Sequence, residues 1–213
     1  MTLAALPEPS PARAGALRVT ADRTTTPAFT EYLDAVAAHC PYLAPSVRYG
    51  LTYWTTYAIE PGVELFDVEA GLFSAAVAAA ERVRLLAKGA RGHLVCENLV
   101  VAGAARRHLD WPHWALKNLY GPVGLMFGKF WEGEADTSRH GAALPVPPVT
   151  FLSIRPAVRP RDPRFLRNTP DLAEAVRDAA DDGRSVFDTL GRDWAAVRSW
   201  AARLPRPTKE NTP

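Results

Sequence analysis

His93-Leu94-Val95-Cys96-Glu97-Asn98-Leu99-Val100-Val101-Ala102 is the stretch on which the fold turns. Its second half, Leu99 to Ala102, is an almost unbroken apolar run, and a strand apolar on both sides belongs in the middle of a covered sheet. A central strand over 93–101 is therefore expected. Immediately upstream, Val68, Leu72, Phe73, Ala76, Val77, Ala80, Val83 and Leu86 recur at helical spacing and stop at Lys88-Gly89, which predicts a long amphipathic helix over 67–87. Before it, Leu51 to Ile59 alternates Thr with aromatic and aliphatic residues as a strand does. Downstream, 124–131 and 149–154 supply two more strands of the same sheet, separated by the long polar connection Glu132–Pro148.

The ends of the chain complete the pattern. Leu17 to Thr20 alternates as a short strand, and Thr26-Pro27 reads as an N-cap with proline in the first helical turn. Phe29, Tyr32, Leu33 and Val36 then share one helix face, and the helix ends at His39-Cys40-Pro41. Thr169-Pro170-Asp171 repeats the cap signature, and a last helix carries Phe187, Leu190, Trp194, Val197 and Leu204. Helices alternate with strands early while strands pair late, so the expected architecture is α+β: a single domain over 17–204 with a mixed or antiparallel sheet flanked by helices. Residues 1–16 are expected to be a disordered leader and 205–213 a disordered tail.

Lys+Arg 25 against Asp+Glu 23 leaves a formal charge of +2, which is far from the basic excess that nucleic-acid binding needs. The two cysteines, Cys40 and Cys96, belong to no CxxC or Cys/His spacing and are expected as free thiols in a reducing cytoplasm. The first residues lack a basic start followed by an apolar run, and no stretch is long enough to cross a bilayer, so no membrane role is expected. The glycine-rich dinucleotide fingerprint, the phosphate-binding loop and the serine-hydrolase elbow are all missing.

Chemistry concentrates in three places. Arg107 to Leu119 holds two of the five histidines and two of the six tryptophans. With Asp110 as an N-cap, Trp111 and Trp114 would wall a pocket to which His108 or His113 presents a nitrogen; the alternative is that both tryptophans fill core and both histidines cap the helix or face solvent. Pro112 between the two histidines argues against one regular helix carrying both. His39-Cys40-Pro41-Tyr42 is a helix-stopping corner able to aim an imidazole or a thiol into a cavity, or simply to pack a small thiol. Arg155, Arg159, Arg161, Arg164 and Arg167 crowd a strand end; Arg155 suits a carboxylate or propionate, against the plainer reading of surface arginines paired with Asp162, Asp171 or Asp178. Ser138-Arg139-His140 offers Arg139 in the same capacity.

Four segments together, His39-Cys40-Pro41-Tyr42, Gly124-Leu125-Met126-Phe127-Gly128-Lys129-Phe130, Pro148 to Pro156 and Asp162-Pro163-Arg164-Phe165-Leu166, resemble an uncharacterised actinobacterial domain family of specialised-metabolite gene clusters. More distantly, Cys40-Pro41, Phe127 to Trp131, Ser138-Arg139 and Phe151 to Arg155 are similar in order to the YqcI/YcgG-type haem proteins. The resemblance implies an enzyme of antibiotic or other specialised-metabolite biosynthesis, haem-dependent and oxidoreductase-like, oxidising or rearranging an acidic, amino-acid-derived nitrogen compound. One of His39, His108 and His113 would be its axial ligand, Arg139 or Arg155 would hold the acidic group, and Trp111 and Trp114 would wall the pocket. Two other classes stay open: a cofactor-free cyclase or lyase with a histidine base such as His113 and Cys40 as nucleophile, and a non-catalytic partner of a pathway enzyme.

Overall fold

The computed structural model describes residues 15–25, 29–137 and 141–206. Five strands, β1 (Leu17–Thr24), β2 (Thr52–Ile59), β3 (Cys96–Ala102), β4 (Leu125–Phe130) and β5 (Phe151–Pro156), form one sheet in the order β1-β2-β3-β5-β4. Only β2 and β3 run parallel; β1–β2, β3–β5 and β4–β5 are antiparallel. A parallel neighbour needs a crossover, and the predicted long helix supplies it as α3 (Leu65–Ala87). The sheet is thus mixed and the fold α+β. β3 sits in the middle with Leu99 and Val101 fully buried, as its apolar run requires.

Strand alternation divides the sheet into two unlike faces. On one, Leu99, Val101, Leu125, Phe127, Leu152 and Ile154 pack against α3, α4 (Arg106–Tyr120) and α6 (Trp194–Ala202) in the main core. On the other, Trp54, Val100 and Phe151 meet Leu33 of α1 (Thr30–Ala37), with Phe29, Tyr32, Phe130 and Leu43 of α2 (Leu43–Arg48) around them. The Phe130 and Phe151 rings stack there at 4.7 Å. Beyond them, Met126 packs under Leu166 and under Leu172 and Val176 of α5 (Pro170–Arg177). The sheet edges differ as well. β1 pairs irregularly with β2, shifting register between Val19 and Ala21 and again between Ala21 and Thr24. β4 pairs with β5 without interruption from Leu125 to Phe130.

Several boundaries depart from expectation for identifiable reasons. β3 starts at Cys96 because Gly92–Leu94 turns first, with the backbone so close that a side-chain carbon on Gly92 would lie 2.0 Å from the Ala87 carbonyl oxygen. α4 begins at Arg106, upstream of the expected Asp110 cap, and carries both His108 and His113 through Pro112. A proline inside a helix costs about 3 kcal/mol. Complete burial of Leu109, Ala115 and Leu116 on the same helix offsets it. α2, a six-residue helix containing Pro45, has no periodic signature. The last helix is shorter than expected: Phe187 and Leu190 lie in the preceding loop, and Asp193 caps α6 by accepting from the Ala196 N–H at 3.0 Å. Thr169 occupies the α5 cap position, but its hydroxyl donates back to Leu166 O at 3.2 Å. The Thr26-Pro27 cap lies outside the described residues.

The leader and tail fall mostly outside them too. Ala16, assigned to the leader, is buried and accepts the Glu60 N–H at 3.2 Å. Arg206, assigned to the tail, lays its guanidinium 3.7 Å from the centre of the Trp111 ring.

Candidate functional site

The histidine- and cysteine-bearing segments that would share one pocket lie on opposite faces of the sheet. α4 packs on the face shared with α3 and α6, whereas the corner after α1 belongs to the face of Trp54 and Phe151. Two separate groups of polar residues result.

On the α1 face, β2, β3 and β5 align Trp54 with Asn98 and Asn98 with Ser153. Asn98 Nδ2 donates to Tyr53 O at 3.2 Å, the Cys96 S–H donates to Asn98 Oδ1 at 3.6 Å, and Cys96 Sγ lies 3.3 Å from Ser153 Oγ. A thiol has one hydrogen, so Ser153 must donate to the sulfur, and a three-bond chain crosses the strands. Burial pushes the Cys96 thiol up, more than its bond to Ser153 and the nearby Arg155 pull it down. Its resting form is the unreactive thiol. Arg155, expected to clamp a ligand, is instead forked onto Asp162: Nη1 to Oδ2 at 2.7 Å and Nη2 to Oδ1 at 3.0 Å, with Nη1 also on Pro156 O at 2.9 Å. Asp162 is buried and accepts the Val158 N–H at 2.7 Å as well, so an internal carboxylate fills the place foreseen for a substrate's. Cys40 is half-buried and His39 exposed at this end of α1.

On the α4 face, three of the four anticipated side chains have structural duties. His108 Nδ1 accepts the Ala105 N–H at 2.9 Å and closes the start of its own helix. Trp114 is buried and donates to Ala201 O at 3.0 Å, tying α4 to α6. Trp111 is half-buried, with the guanidiniums of Arg198 and Arg206 over its ring at 4.9 and 3.7 Å. In this structure His108 serves as a helix cap and Trp114 as a core contact.

His113 differs. Its Nε2 lies 3.0 Å from the Phe127 carbonyl oxygen of β4. A carbonyl can only accept, so Nε2 carries the hydrogen and Nδ1 the lone pair. Burial first, then Lys117 and Lys129, hold this imidazole well below its ordinary range against the Phe127 bond, so it is neutral near pH 7. Along α4, Asp110 pairs with Lys129 and His113 with Phe127, so the helix runs antiparallel to β4 and Lys117 follows one turn later on the same face. Burial, with Lys129 adding to it, lowers the Lys117 ammonium to about 8. Arg106 reaches Asp110 at 3.5 Å and stands 4.7 Å over the Trp131 ring. The α4–β4 edge thus gathers a neutral imidazole, an amine whose proton affinity is lowered, and two cations, Arg106 and Lys129, that share half-exposed Asp110 and lie in electrostatic reach of Glu134. Perturbed titratable groups gathered in this way are a feature of working sites and also of structural ion-pair networks.

Lys117 and Lys129 are the partners that sequence reasoning passed over. The available signal was the four-residue spacing of His113 and Lys117 within the quoted segment. Arg139 lies outside the described residues. Among the described residues no three His, Cys, Asp or Glu side chains group as a metal site, and no helix is long and apolar enough to cross a membrane. No protein-family model, curated protein or solved structure matches the chain.

Proposed function

We propose that the chain is an enzyme of specialised metabolism that acts on a small acidic, amino-acid-derived molecule by histidine acid–base chemistry at the α4–β4 edge, in the manner of a cofactor-free cyclase or lyase. The observation that carries this reading is the His113 ring, fixed by one nitrogen to Phe127 O, beside two lysines. An imidazole held neutral accepts a proton in passing and, once charged, gives it up readily. Lys129 and Arg106 supply the cations that an anionic ligand would meet there, alongside Asp110 and Glu134.

Haem, which the resemblance to YqcI/YcgG-type proteins implies, fits these residues poorly. An axial ligand needs an apolar slot for the macrocycle beside it. His39 and Cys40 sit across the sheet from His108 and His113, Trp111 and Trp114 are engaged by arginines and by Ala201, and Arg155 is already matched by Asp162. The acid–base reading uses His113 as it stands.

The test is a titration of histidine-labelled protein, followed by NMR, with a panel of amino acids, N-acyl amino acids and 2-oxo acids. At least one acidic member should shift the His113 ring resonances saturably, and His113→Asn should weaken that ligand by roughly ten-fold or more, the scale of one lost polar contact. A panel that leaves His113 unmoved overturns the proposal.

A further inference from the structure

We infer that the end of the molecule where α2 and α3 stop is a docking surface for the anionic face of a lipid bilayer. This revises the expectation of no membrane role, which rested on the lack of a leader or a spanning segment; a surface that rests on a bilayer needs neither. The inference goes beyond the α4–β4 site and does not depend on it.

One arginine joins the two parts of the surface. Arg91, in the turn after α3, lays its guanidinium 4.0 Å from the centre of the Tyr49 ring at the end of α2, and Arg48 approaches the same ring at 5.8 Å. The turn itself is tight: the Gly89 N–H donates to Leu86 O at 3.0 Å and the Gly92 N–H to Gly89 O at 2.9 Å. Leu85 and Leu86, in the last turn of α3, are thereby kept next to Arg91. Four of the nine large apolar side chains that the described residues expose belong to these two helix ends: Val47 at 40%, Tyr49 at 44%, Leu85 at 56% and Leu86 at 38%. Cations near the carbonyl end of a helix stabilise it, which accounts for Arg48 and Lys88. It does not account for apolar groups left uncovered together, which mark an interaction surface.

Charge selects the occupant. Residues 35–59 and 82–96 contain no Asp or Glu, while Arg48, Lys88, Arg91 and His93 within them are exposed. The carboxylates brought near this end by other elements are engaged elsewhere. Glu97, fully buried on β3, takes Arg23 at 2.8 Å and Arg82 at 3.4 Å, and Asp162 holds Arg155 at 2.7 Å. Glu81 and Asp181 both hold Arg84, at 3.1 and 2.5 Å, and Glu81 also accepts the Tyr120 hydroxyl at 2.9 Å. Asp181 lies in electrostatic reach of Lys88 as well, and Asp22 accepts the Thr55 hydroxyl at 3.5 Å. Among the described residues neither Arg48 nor Arg91 has a carboxylate partner. An anionic bilayer answers both parts of the surface at once. Headgroup phosphates take the guanidinium and ammonium groups, the acyl boundary takes the leucines and the Tyr49 ring, and the long stems of Lys88 and Arg91 bridge the two zones. Nucleic acid would use the cations and leave the leucines in water. A protein partner would have to match the turn in shape as well as in charge, whereas a fluid surface conforms to it.

The experiment sediments the full chain with vesicles of phosphatidylcholine, and with vesicles in which about a third of the lipid is phosphatidylglycerol. Binding to the anionic vesicles should be at least roughly ten-fold tighter than to the neutral ones and should weaken steeply as salt rises. Lys88→Ala and Arg91→Ala should each lower the affinity about five-fold, and Leu85→Ser about ten-fold, because one removes a headgroup contact and the other an inserted side chain. Val146→Ser removes an equally exposed apolar side chain from the connection between β4 and β5 and should change nothing. All four variants alter exposed positions and should keep the circular dichroism and Tm of the parent. On the anionic vesicles, amide exchange should slow over 43–50 and 85–93 but not over α4. Equal binding to both vesicles, none to either, or binding that survives Lys88→Ala, Arg91→Ala and Leu85→Ser overturns the proposal. So does tighter binding to poly-glutamate or to a DNA duplex than to the anionic vesicles, which would assign the surface to an acidic protein or to nucleic acid.

Discussion

Replacing Arg155 by Lys should destabilise the protein rather than loosen a ligand. The guanidinium makes two parallel bonds to Asp162 and a third to Pro156 O. An ammonium keeps the charge but meets one carboxylate oxygen at a time, so the Nη2–Oδ1 bond and the Pro156 contact are lost. A hydrogen bond to a charged partner contributes about 1.5–3 kcal/mol when buried. The Arg155 side chain is 32% exposed while that of Asp162 is 3% exposed. Water therefore replaces part of the loss on the arginine side, leaving a cost of about 1–2 kcal/mol. For a chain of this size each kcal/mol lowers Tm by about 2–4 °C. Asp162→Asn should cost more, about 2–4 kcal/mol, because the removed charge is the buried one and Arg155 loses its counterion. Urea unfolding of Arg155→Met, Asp162→Asn and the double variant closes a thermodynamic cycle, in which a coupling of about 1 kcal/mol or more is expected. A change below about 0.5 kcal/mol for Arg155→Lys, the range of ordinary surface substitutions, would refute the reasoning.

Four further outcomes follow from the same contacts. Because the His113 proton affinity is lower folded than unfolded, the unfolded chain binds the extra proton, so stability should fall as pH drops through the ordinary histidine range, by up to about 1.4 kcal/mol per pH unit; denaturation midpoints from pH 7.5 to 5.5 should show this slope, reduced in His113→Gln. Lys117→Met removes a half-buried amine whose charge is disfavoured and should stabilise the protein at pH 7 by about 1–2 kcal/mol, a gain that shrinks as pH rises from about 8 toward 10.5, to be followed by urea titration at both ends. Gly92→Ala should be severely destabilising, since the added carbon meets backbone at 2.0 Å and no rotamer relieves it; a Tm within a few degrees of the parent, the shift of about 1 kcal/mol, would contradict this. Cys96 should alkylate slowly with iodoacetamide at pH 7, as followed by mass spectrometry, and rapid labelling would show that its hydrogen-bonded thiol opens freely.

What could be learned from sequence followed the strength of each periodic signal. Leu99 to Val101 and the Val68–Leu86 repeat identified the central strand and the crossover helix, because burial on both sides of a strand and on one face of a helix leaves patterns that need no partner to interpret. The start of α4 left no such mark. Its cap is Ala105, and the closing group is a His108 nitrogen in place of a Ser, Thr or Asp side chain. α2 is too short to show a period. The candidate site was half visible for a different reason: His113 stood out by its residue type, but the lowered proton affinity of Lys117 arises only when packing buries its amine, with the charge of Lys129 on β4 adding to the effect. Likewise Cys96 and Ser153, 57 positions apart, become neighbours only through the β3–β5 register. Arg155 carried two readings, and the surface-pairing one named the partner, Asp162, that the structure provides.

The two ends of the sheet carry different risks for the unfolding or crowded chain. At β1 the double register shift and the charged Arg18 and Arg23 make poor templates for a second molecule. At β4 the edge is regular, and Leu125-Met126-Phe127-Gly128-Lys129-Phe130 is apolar apart from one lysine. There α4 shields the strand, with His113 engaging the Phe127 carbonyl and Asp110 holding Lys129. Any variant that loosens α4 therefore uncovers a flat, sticky strand with a single charge to interrupt it, the composition from which intermolecular β-pairing grows. Shelf life and expression yield should accordingly track the docking of α4 more closely than the overall stability of the fold.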